Sequence, residues 1–307
     1  MSHADLTLSA WLGLSDDAAA RTAAAIARST GTRLTGVRPH AYAGRSGRVA
    51  LFDRDGTGYA LVPGGTVQLG HDPDRFVPDA RLRADFAQAS TEWALTDPLD
   101  RFLAEVTSPP RRVSLPARLV AVRSVEADAL LPADDEDDSE DDDGPENDDG
   151  PEDDDGPEDD DGPEDDDGPE DDDEDDGHAW LMAGLDRLGL RPPTPDEWEY
   201  ACGAGATTLF RWGDGYPEGL PYGTMPLIQE PNLFGLVIGD DPYRAEFTTD
   251  PAVLCGGDGG ASLCGGYGSF LSWIVLATAY RERELAATVH DGGLVGETPV
   301  RPVAPIP

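Results

Sequence analysis

Three cysteines are the residues of this chain best suited to redox or metal chemistry. Cys255 and Cys264 lie nine residues apart and flank a glycine-rich loop, whereas Cys202 lies alone. Two thiolates can bind a soft metal such as monovalent copper, and two thiols can form a disulfide. Free cysteines also act as small apolar side chains in tight turns. The sequence favours this last role for Cys255 and Cys264, with a metal or disulfide pair as the alternative, and it predicts that Cys202 is buried.

A second set of candidates consists of aromatic and charged residues in the last third of the chain. Trp273 and Tyr280 could form an aromatic pocket with Arg281 on the same surface, although aromatic residues at this spacing are more often in a core. Asp258 lies in a Gly-Gly-Asp-Gly-Gly loop that could approach a ligand, but the loop lacks the lysine of a phosphate-binding loop. We predict these four residues as ligand-binding, and we predict no catalytic residue, metal ligand or cofactor. None of the five histidines shares metal-ligand spacing on a helix with another.

The formal charge of −40 comes mainly from one segment. Residues 134–176 contain 31 acidic residues and no basic one, and Gly-Pro-Glu recurs there with a period of six. Such a segment repels itself and has nothing to bury, so we predict a disordered insertion. It could attract basic partners or divalent cations, and it would repel nucleic acid. Outside it, 31 acidic and 22 basic residues leave a net charge of −9, which is ordinary for a globular surface.

The sequence shows no sign of targeting or of a membrane span. Its first residues lack a basic region and a cleavage-site pattern. The longest apolar run, Phe270 to Tyr280, has 11 residues, whereas a membrane helix needs about 20. Three cysteines are too few for a disulfide framework, and their number is odd. We therefore expect a cytoplasmic protein with no membrane partner.

The segment before the acidic run, residues 1–133, begins with a predicted helix. Ser15 is a good N-cap, and Gly31 can end the helix. The other elements predicted in this segment are strands at Val49–Asp53, Tyr59–Val62 and Val113–Val125, and one or two helices over residues 79–105 that break near Pro98.

The segment after the acidic run, residues 177–307, begins with a predicted helix over His178–Leu188 that Gly189 ends. A capping box follows, in which Thr194 is the N-cap and Glu197 the third helical residue. The helix that it starts should end near Gly203. The remainder has many glycine turns and few long elements, which is typical of a loop-rich α+β domain.

Several motifs resemble those of one family. Leu190 to Gly219, which reads LRPPTPDEWEYACGAGATTLFRWGDGYPEG, is similar to the central motif of the formylglycine-generating enzyme or sulfatase-modifying factor family. Further matches to that family follow the same order along the chain, at Val62–Gly70 (VPGGTVQLG), Pro231–Leu236 (PNLFGL), Cys264–Gly268 (CGGYG), Ala279–Arg281 (AYR) and Val300–Val303 (VRPV). The chain is thereby identified as a divergent member.

This resemblance implies a C-type-lectin-like fold and a division of the chain. Residues 59–133 and 177–307 would form two parts of one formylglycine-generating-enzyme-like domain. The acidic residues 134–176 would interrupt that domain as an insertion. Residues 1–58 lie outside the resemblance and would form an N-terminal extension or a small module.

The resemblance also implies a chemistry that this sequence cannot carry in the usual place. The family oxidises a substrate cysteine with copper and oxygen, through two cysteines that follow its RGGSW motif. Those positions fall on or near Phe270 and Val275, and residues 269–279 contain no cysteine. We therefore expect a non-catalytic module, a pseudoenzyme that binds an unknown protein or small molecule. The alternative is a divergent metal-dependent oxidoreductase that acts on a peptidyl cysteine or a small thiol, with its metal held by Cys255 and Cys264.

Overall fold

The structure is a computed structural model that describes residues 2–131, 177–222, 225–290 and 298–307. Its helices are α1 (Leu8–Gly13), α2 (Asp16–Thr30), α3 (Ala80–Glu92), α4 (Leu99–Val106), α5 (Ala127–Leu130), α6 (Gly177–Arg187), α7 (Pro195–Gly203), α8 (Pro226–Gln229), α9 (Ala261–Cys264), α10 (Gly268–Ile274) and α11 (Glu284–His290). Its strands are β1 (Arg33–Tyr42), β2 (Arg45–Arg54), β3 (Thr57–Val62), β4 (Gly65–Leu69), β5 (Arg111–Leu115), β6 (Arg118–Ala121), β7 (Val125–Glu126), β8 (Glu246–Phe247), β9 (Leu254–Cys255), β10 (Pro299–Val300) and β11 (Val303–Pro305). The predicted α+β class is confirmed. The predicted disordered insertion, residues 134–176, lies outside the described residues.

The largest sheet joins parts of the chain that are far apart in sequence. Its five strands are antiparallel and follow the order β1-β2-β3-β6-β11. Strands β1 and β2 come from residues 1–58, and they continue directly into β3. Strand β11 pairs with β6, so that Val303 lies opposite Val120. The segments before and after the acidic run therefore share one sheet.

Two smaller sheets complete the strands. Four short strands follow the order β7-β10-β8-β9, with β8 and β10 parallel to each other. Strand β4 pairs antiparallel with β5 to form a separate two-stranded sheet. Residues 63–64 separate β3 from β4, and these two strands belong to different sheets.

Helix α2 begins and ends where its sequence predicts. The Ser15 side chain accepts a hydrogen bond from the Ala18 N–H, and Gly31 ends the helix with a φ of 68°. The small residues Ala19 and Ala23 are fully buried, together with Ile26, against the five-stranded sheet. Alanine side chains let the helix backbone approach the sheet closely, so the Ala-rich sequence fits this position.

Helix α7 is held at both ends. At its start, Thr194 Oγ1 accepts from the Glu197 N–H at 3.1 Å, and Glu197 Oε2 accepts from the Thr194 N–H at 2.9 Å, so the predicted capping box is confirmed. At its end, Arg45 donates to the carbonyls of Gly203 and Ala204. A cation at the C-terminal end of a helix also interacts favourably with the negative end of the helix dipole. Every residue of α7 from Glu197 to Gly203 is buried.

Strand β1 is the main element that the sequence patterns missed. It contains Gly36 and Pro39, which weaken a strand signal. Its register on β2 shifts between Leu34 and Gly36. Gly36 lies at this irregularity, and Pro39 is tolerated because β1 lies at the edge of the sheet, where a proline costs no ladder hydrogen bond on the open side.

Two glycine substitutions should separate backbone strain from steric overlap. Gly70 and Gly189 both have positive φ, at 89° and 65°. A Cβ on Gly70 would overlap the Pro109 carbonyl, whereas a Cβ on Gly189 meets no described atom within 4 Å. Gly189→Ala should cost about 1–2 kcal/mol of unfolding free energy, and Gly70→Ala about 2–5 kcal/mol. Chemical denaturation of both variants measures the difference, and equal losses would contradict the steric assignment.

Candidate functional site

The first of three buried carboxylates near the candidate site is Glu197 on helix α7. Arg191 binds it through two nitrogens at 2.5 and 2.7 Å, and Arg118 of strand β6 forms an ion pair with it at 2.9 Å. Burial raises the pKa of Glu197, but the two arginines and the Thr194 N–H together outweigh burial and hold that pKa below its ordinary value of 4.5. Glu197 is therefore ionised at neutral pH and ties α7 to the five-stranded sheet.

The second buried carboxylate is Glu199, two residues further along α7. Its Oε2 accepts from Ser108 at 2.8 Å and from Arg111 at 2.9 Å, and it also binds Arg281. Its Oε1 accepts from the Gly70 N–H, at the end of strand β4. Glu199 thus joins α7, β4 and the segment after α10 at one point.

The third buried carboxylate is Glu246 of strand β8. Arg301 binds it through two nitrogens at 2.5 and 2.9 Å, and the indole N–H of Trp198 donates to it at 2.7 Å. Arg301 also donates to the carbonyls of Ala121 and Val237. Because Trp198 belongs to α7, this pair attaches the small four-stranded sheet to the same helix.

A cleft of about 540 Å³ opens beside this network, between strand β4 and the end of α7. One wall consists of seven consecutive residues, Gly64 to Gly70. The opposite wall is the end of α7 and the loop that follows it, with Gly203 and residues 205–208. Helix α1, with Leu8 and Leu12, closes one end. The volume lies in the range typical of sites for small molecules.

The other end of the cleft leads to a small polar cavity of about 30 Å³ beside His71. His71 is buried, and its Nε2 atom has no hydrogen-bond partner among the residues that the structure describes. Burial lowers the pKa of His71, although Asp214 and Asp72 act in the opposite direction. The imidazole is therefore neutral at pH 7, and the cavity can admit one group about the size of a water molecule.

The four residues predicted to bind a ligand lie outside the lining of this cleft. Trp273 is fully buried, and its indole N–H donates to the Gly219 carbonyl at 2.7 Å. Tyr280 belongs to the same buried cluster as Trp273 and donates to Glu282 at 2.6 Å. Arg281 binds Glu199 from within the protein. These three side chains are part of the interior, where they pack and pair with protein groups.

Asp258 has a local role in the backbone. Its carboxylate accepts from the N–H groups of Gly260 and Ser262, at 2.9 and 2.8 Å. These bonds hold the turn that leads into helix α9. The Gly-Gly-Asp-Gly-Gly sequence therefore forms a capped turn here, with Asp258 largely buried.

Sequence reasoning missed the residues that line the cleft. The signal lay in two segments that are rich in small residues, VPGGTVQLG before and within β4, and GAGATT, which begins at the last residue of α7. Small side chains on two facing segments leave space between them. The sequence alone does not say that these two segments face each other, because they lie more than 130 residues apart.

The three cysteines are free thiols in different environments. Cys202 and Cys255 are fully buried, and burial raises the pKa of each to about 12. The prediction that Cys202 is buried is confirmed. Cys264 is exposed, with its Sγ 3.6 Å from the Tyr243 hydroxyl, and no disulfide joins it to Cys255. Within the described ranges, no group of three or more His, Cys, Asp or Glu residues is arranged to hold a metal ion.

Phe270 and Val275, at the positions where the resemblance placed two cysteines, are both core residues. The centroid of the Phe270 ring lies 5.1 Å from the centroid of the Phe86 ring and 5.6 Å from that of the Phe102 ring. Val275 is buried in the same cluster. This part of the molecule is therefore close-packed hydrocarbon contributed by α3, α4 and α10.

The chain was compared with protein-family models and with curated proteins. No protein-family model matches the chain, and no curated protein matches it. Among the helices of the described residues, none has the length and apolar character needed to cross a bilayer.

The Glu197 network should make stability depend on pH in a defined way. A carboxylate whose folded pKa lies below its unfolded value stabilises the fold above the unfolded value and loses that contribution as the pH falls. Glu197→Gln should cost about 3–5 kcal/mol at pH 7, because two arginines lose their buried partner. The difference from wild type should shrink below pH 4.5. Urea unfolding at several pH values between 3 and 8 (roughly the accessible window) measures it, and a difference that does not change with pH would contradict the assignment.

The thiols should react in the order of their exposure. Cys264 should react with a thiol reagent in the native protein, whereas Cys202 and Cys255 should react only after unfolding, because they are buried and protonated. Mass spectrometry of native and denatured samples after alkylation checks this. Cys264→Ser is the control and should abolish native labelling. Rapid native labelling of Cys255 would contradict the assignment.

Proposed function

We propose that this chain is a divergent, non-catalytic member of the formylglycine-generating enzyme family with a C-type-lectin-like fold. In this proposal it acts as a binding module, and its ligand enters the cleft between β4 and the end of α7. The observation that carries the proposal is the packed hydrocarbon at Phe270 and Val275, where the family would place its copper-binding cysteines. Two thiolates cannot be provided there by any rearrangement of side chains.

Four of the motifs behind the resemblance support the family part of the proposal, because they meet around one helix. The central motif contains α7, and residues 64–70 of VPGGTVQLG form one wall of the cleft. Asn232 of PNLFGL donates to the carbonyls of Ala201 and Cys202, at 2.7 and 3.0 Å, near the end of α7. Arg301 of VRPV binds Glu246, which also binds Trp198 of α7. Segments that match one family in order would be expected to meet in this manner if they shared its fold.

The state of the remaining thiols supports a role without oxidation chemistry. A thiol with a pKa near 12 is protonated at neutral pH and is a poor metal ligand and a poor nucleophile. Cys255 is in this state, so a relocated pair with Cys264 would have to remove a proton from a buried group and move an exposed partner. Binding in a preformed cleft requires neither step.

In this proposal the acidic run has a secondary role. Residues 134–176 would attract basic partners or divalent cations to a module that works in the cytoplasm. Their charge would also keep the protein away from nucleic acid. The cleft itself contains both an aspartate and an arginine at its polar end, so its ligand need not be charged.

A direct assay tests the absence of catalysis. The full chain is incubated with copper(I), oxygen, a reductant and a cysteine-containing peptide, and aldehyde formation is followed by mass spectrometry. We expect no conversion above a copper-only control, for wild type, Cys255→Ala and Cys264→Ala alike. A competition titration with a copper(I) indicator should also show no stoichiometric binding. Conversion that disappears in Cys255→Ala or Cys264→Ala would overturn the proposal in favour of a metal-dependent oxidoreductase.

A further inference from the structure

We propose that the free edge of strand β4 is a docking site for an extended segment of a partner polypeptide, which adds to the β4–β5 sheet as a third strand. This deepens the proposed binding role and rests on it, but it does not depend on family membership. It makes the partner a protein or peptide that is recognised chiefly through its main chain.

The register of β4 on β5 decides which backbone groups point into the cleft. The ladder runs from Gly65 opposite Leu115 to Leu69 opposite Arg111. In an antiparallel pair, residues that exchange hydrogen bonds alternate with residues whose N–H and C=O point away from the partner strand. Gly64 cannot bond to β5, because its N–H donates to Leu6 and its C=O accepts from Leu8. The bonded residues are therefore Gly65, Val67 and Leu69, and the backbone of Thr66 and Gln68 points away from β5.

The edge of β4 that faces away from β5 has hydrogen-bond partners at both ends and none in the middle among the described residues. At one end, Gly64 bonds to the segment that leads into α1, and at the other, the Gly70 N–H donates to Glu199. Between them, the N–H and C=O groups of Thr66 and Gln68 have no hydrogen-bond partner among the described residues. Backbone polar groups require partners, and an extended chain supplies them at the right interval. The two residues are about 7 Å apart along the strand, which matches every second residue of an added strand.

The shape of the cleft agrees with this edge. Side chains alternate between the two faces of a strand, so a wall made of one face would contain every second residue. All seven residues from Gly64 to Gly70 line the cleft, and the wall is therefore the edge of the strand itself. The facing wall has Gly203, Gly205 and Ala206. Because glycine has no side chain and alanine has only a methyl group, these residues leave room for the backbone of a bound segment.

The side chains around the edge indicate what the partner segment must carry. Thr66, Val67 and Gln68 are uncharged, and the edge has neither the charged residues nor the prolines that usually protect exposed edges. Leu12 is 42% exposed at one end of the cleft and offers an apolar contact. The chemistry fits an uncharged extended segment with an apolar side chain that reaches Leu12.

The test uses the whole chain and a displayed library of random heptapeptides that lack cysteine. Selection against wild type should enrich binders that the Gln68→Pro variant does not retain, because proline removes an edge N–H that the β4–β5 ladder does not use. Gln68→Ala removes the side chain and keeps the backbone N–H, so binders that are lost by Gln68→Pro and kept by Gln68→Ala depend on that N–H. Thermal unfolding of both variants checks the fold. If Gln68→Pro is unfolded, Ala206→Tyr, which fills the cleft from the facing wall, takes its place.

The best binder is then synthesised with single N-methyl groups along its backbone. Methylation of alternate amides, those that face β4, should weaken binding at least about tenfold, and methylation of the intervening amides should change it less than about threefold. Amide exchange at Thr66 and Gln68 should slow on binding, while Val67 should already be protected in the free protein. No enriched peptide, uniform tolerance of N-methylation, or unchanged exchange at Thr66 and Gln68 would each overturn the proposal.

A failure of the proposed edge site can be told apart from a failure of the proposed non-catalytic role. The library contains no thiol, so an enriched peptide cannot be a substrate for cysteine oxidation. Copper-dependent conversion of a cysteine peptide would overturn the non-catalytic role, whatever the β4 edge does. Loss of the alternation in the N-methyl series would overturn the edge site, whatever the copper assay gives.

Discussion

Buried carboxylates need cationic partners, and in this protein arginine side chains meet that need around helix α7. Moving an ion from water into a protein interior costs several kcal/mol, which only close pairing and full hydrogen bonding offset. Glu197, Glu199 and Glu246 are all buried, and each is bound by one or two arginines. The chain has 22 arginines and no lysine. A planar guanidinium can bind a carboxylate through two nitrogens, which a lysine ammonium cannot do.

The same pairing fixes the geometry of the cleft. Glu199 binds the end of β4 through Gly70 and the body of the protein through Arg111 and Arg281. One carboxylate thus helps to hold β4 in place relative to α7, together with the apolar contacts between the two elements, and the cleft lies between them. A site whose walls are held by buried ion pairs needs little reorganisation when a ligand enters, which lowers the cost of binding.

The sequence predicted those parts of the fold that depend on neighbouring residues. The cap at Ser15, the helix break at Pro98 and the capping box at Thr194 each result from contacts within a few residues, and all three are present. Strand β1 was missed because its glycine and proline conceal an edge strand. The pairing of β6 with β11 could not be foreseen, because it joins residues more than 180 positions apart.

The candidate site was harder to predict than the fold for a related reason. Trp273, Tyr280 and Arg281 have side chains that suit a binding pocket and an interior equally well, and only their long-range contacts decide between the two. The cleft is recognisable only when the small residues of β4 and of the loop after α7 are seen to face each other. Cys202 was placed correctly because a small apolar side chain on a capped, buried helix has one favourable environment.

An open strand edge is normally a hazard, because it invites pairing between copies of a protein. Here the edge is recessed between α1 and the loop after α7, and only about two residues of it are open. A folded sheet of another copy is too thick to enter such a space, since stacked and paired strands bring their side chains and neighbouring strands with them. A single extended chain is thin enough. The recess thus admits the one kind of strand partner that has no sheet of its own, and it explains how the edge of β4 can stay unprotected by charge or proline.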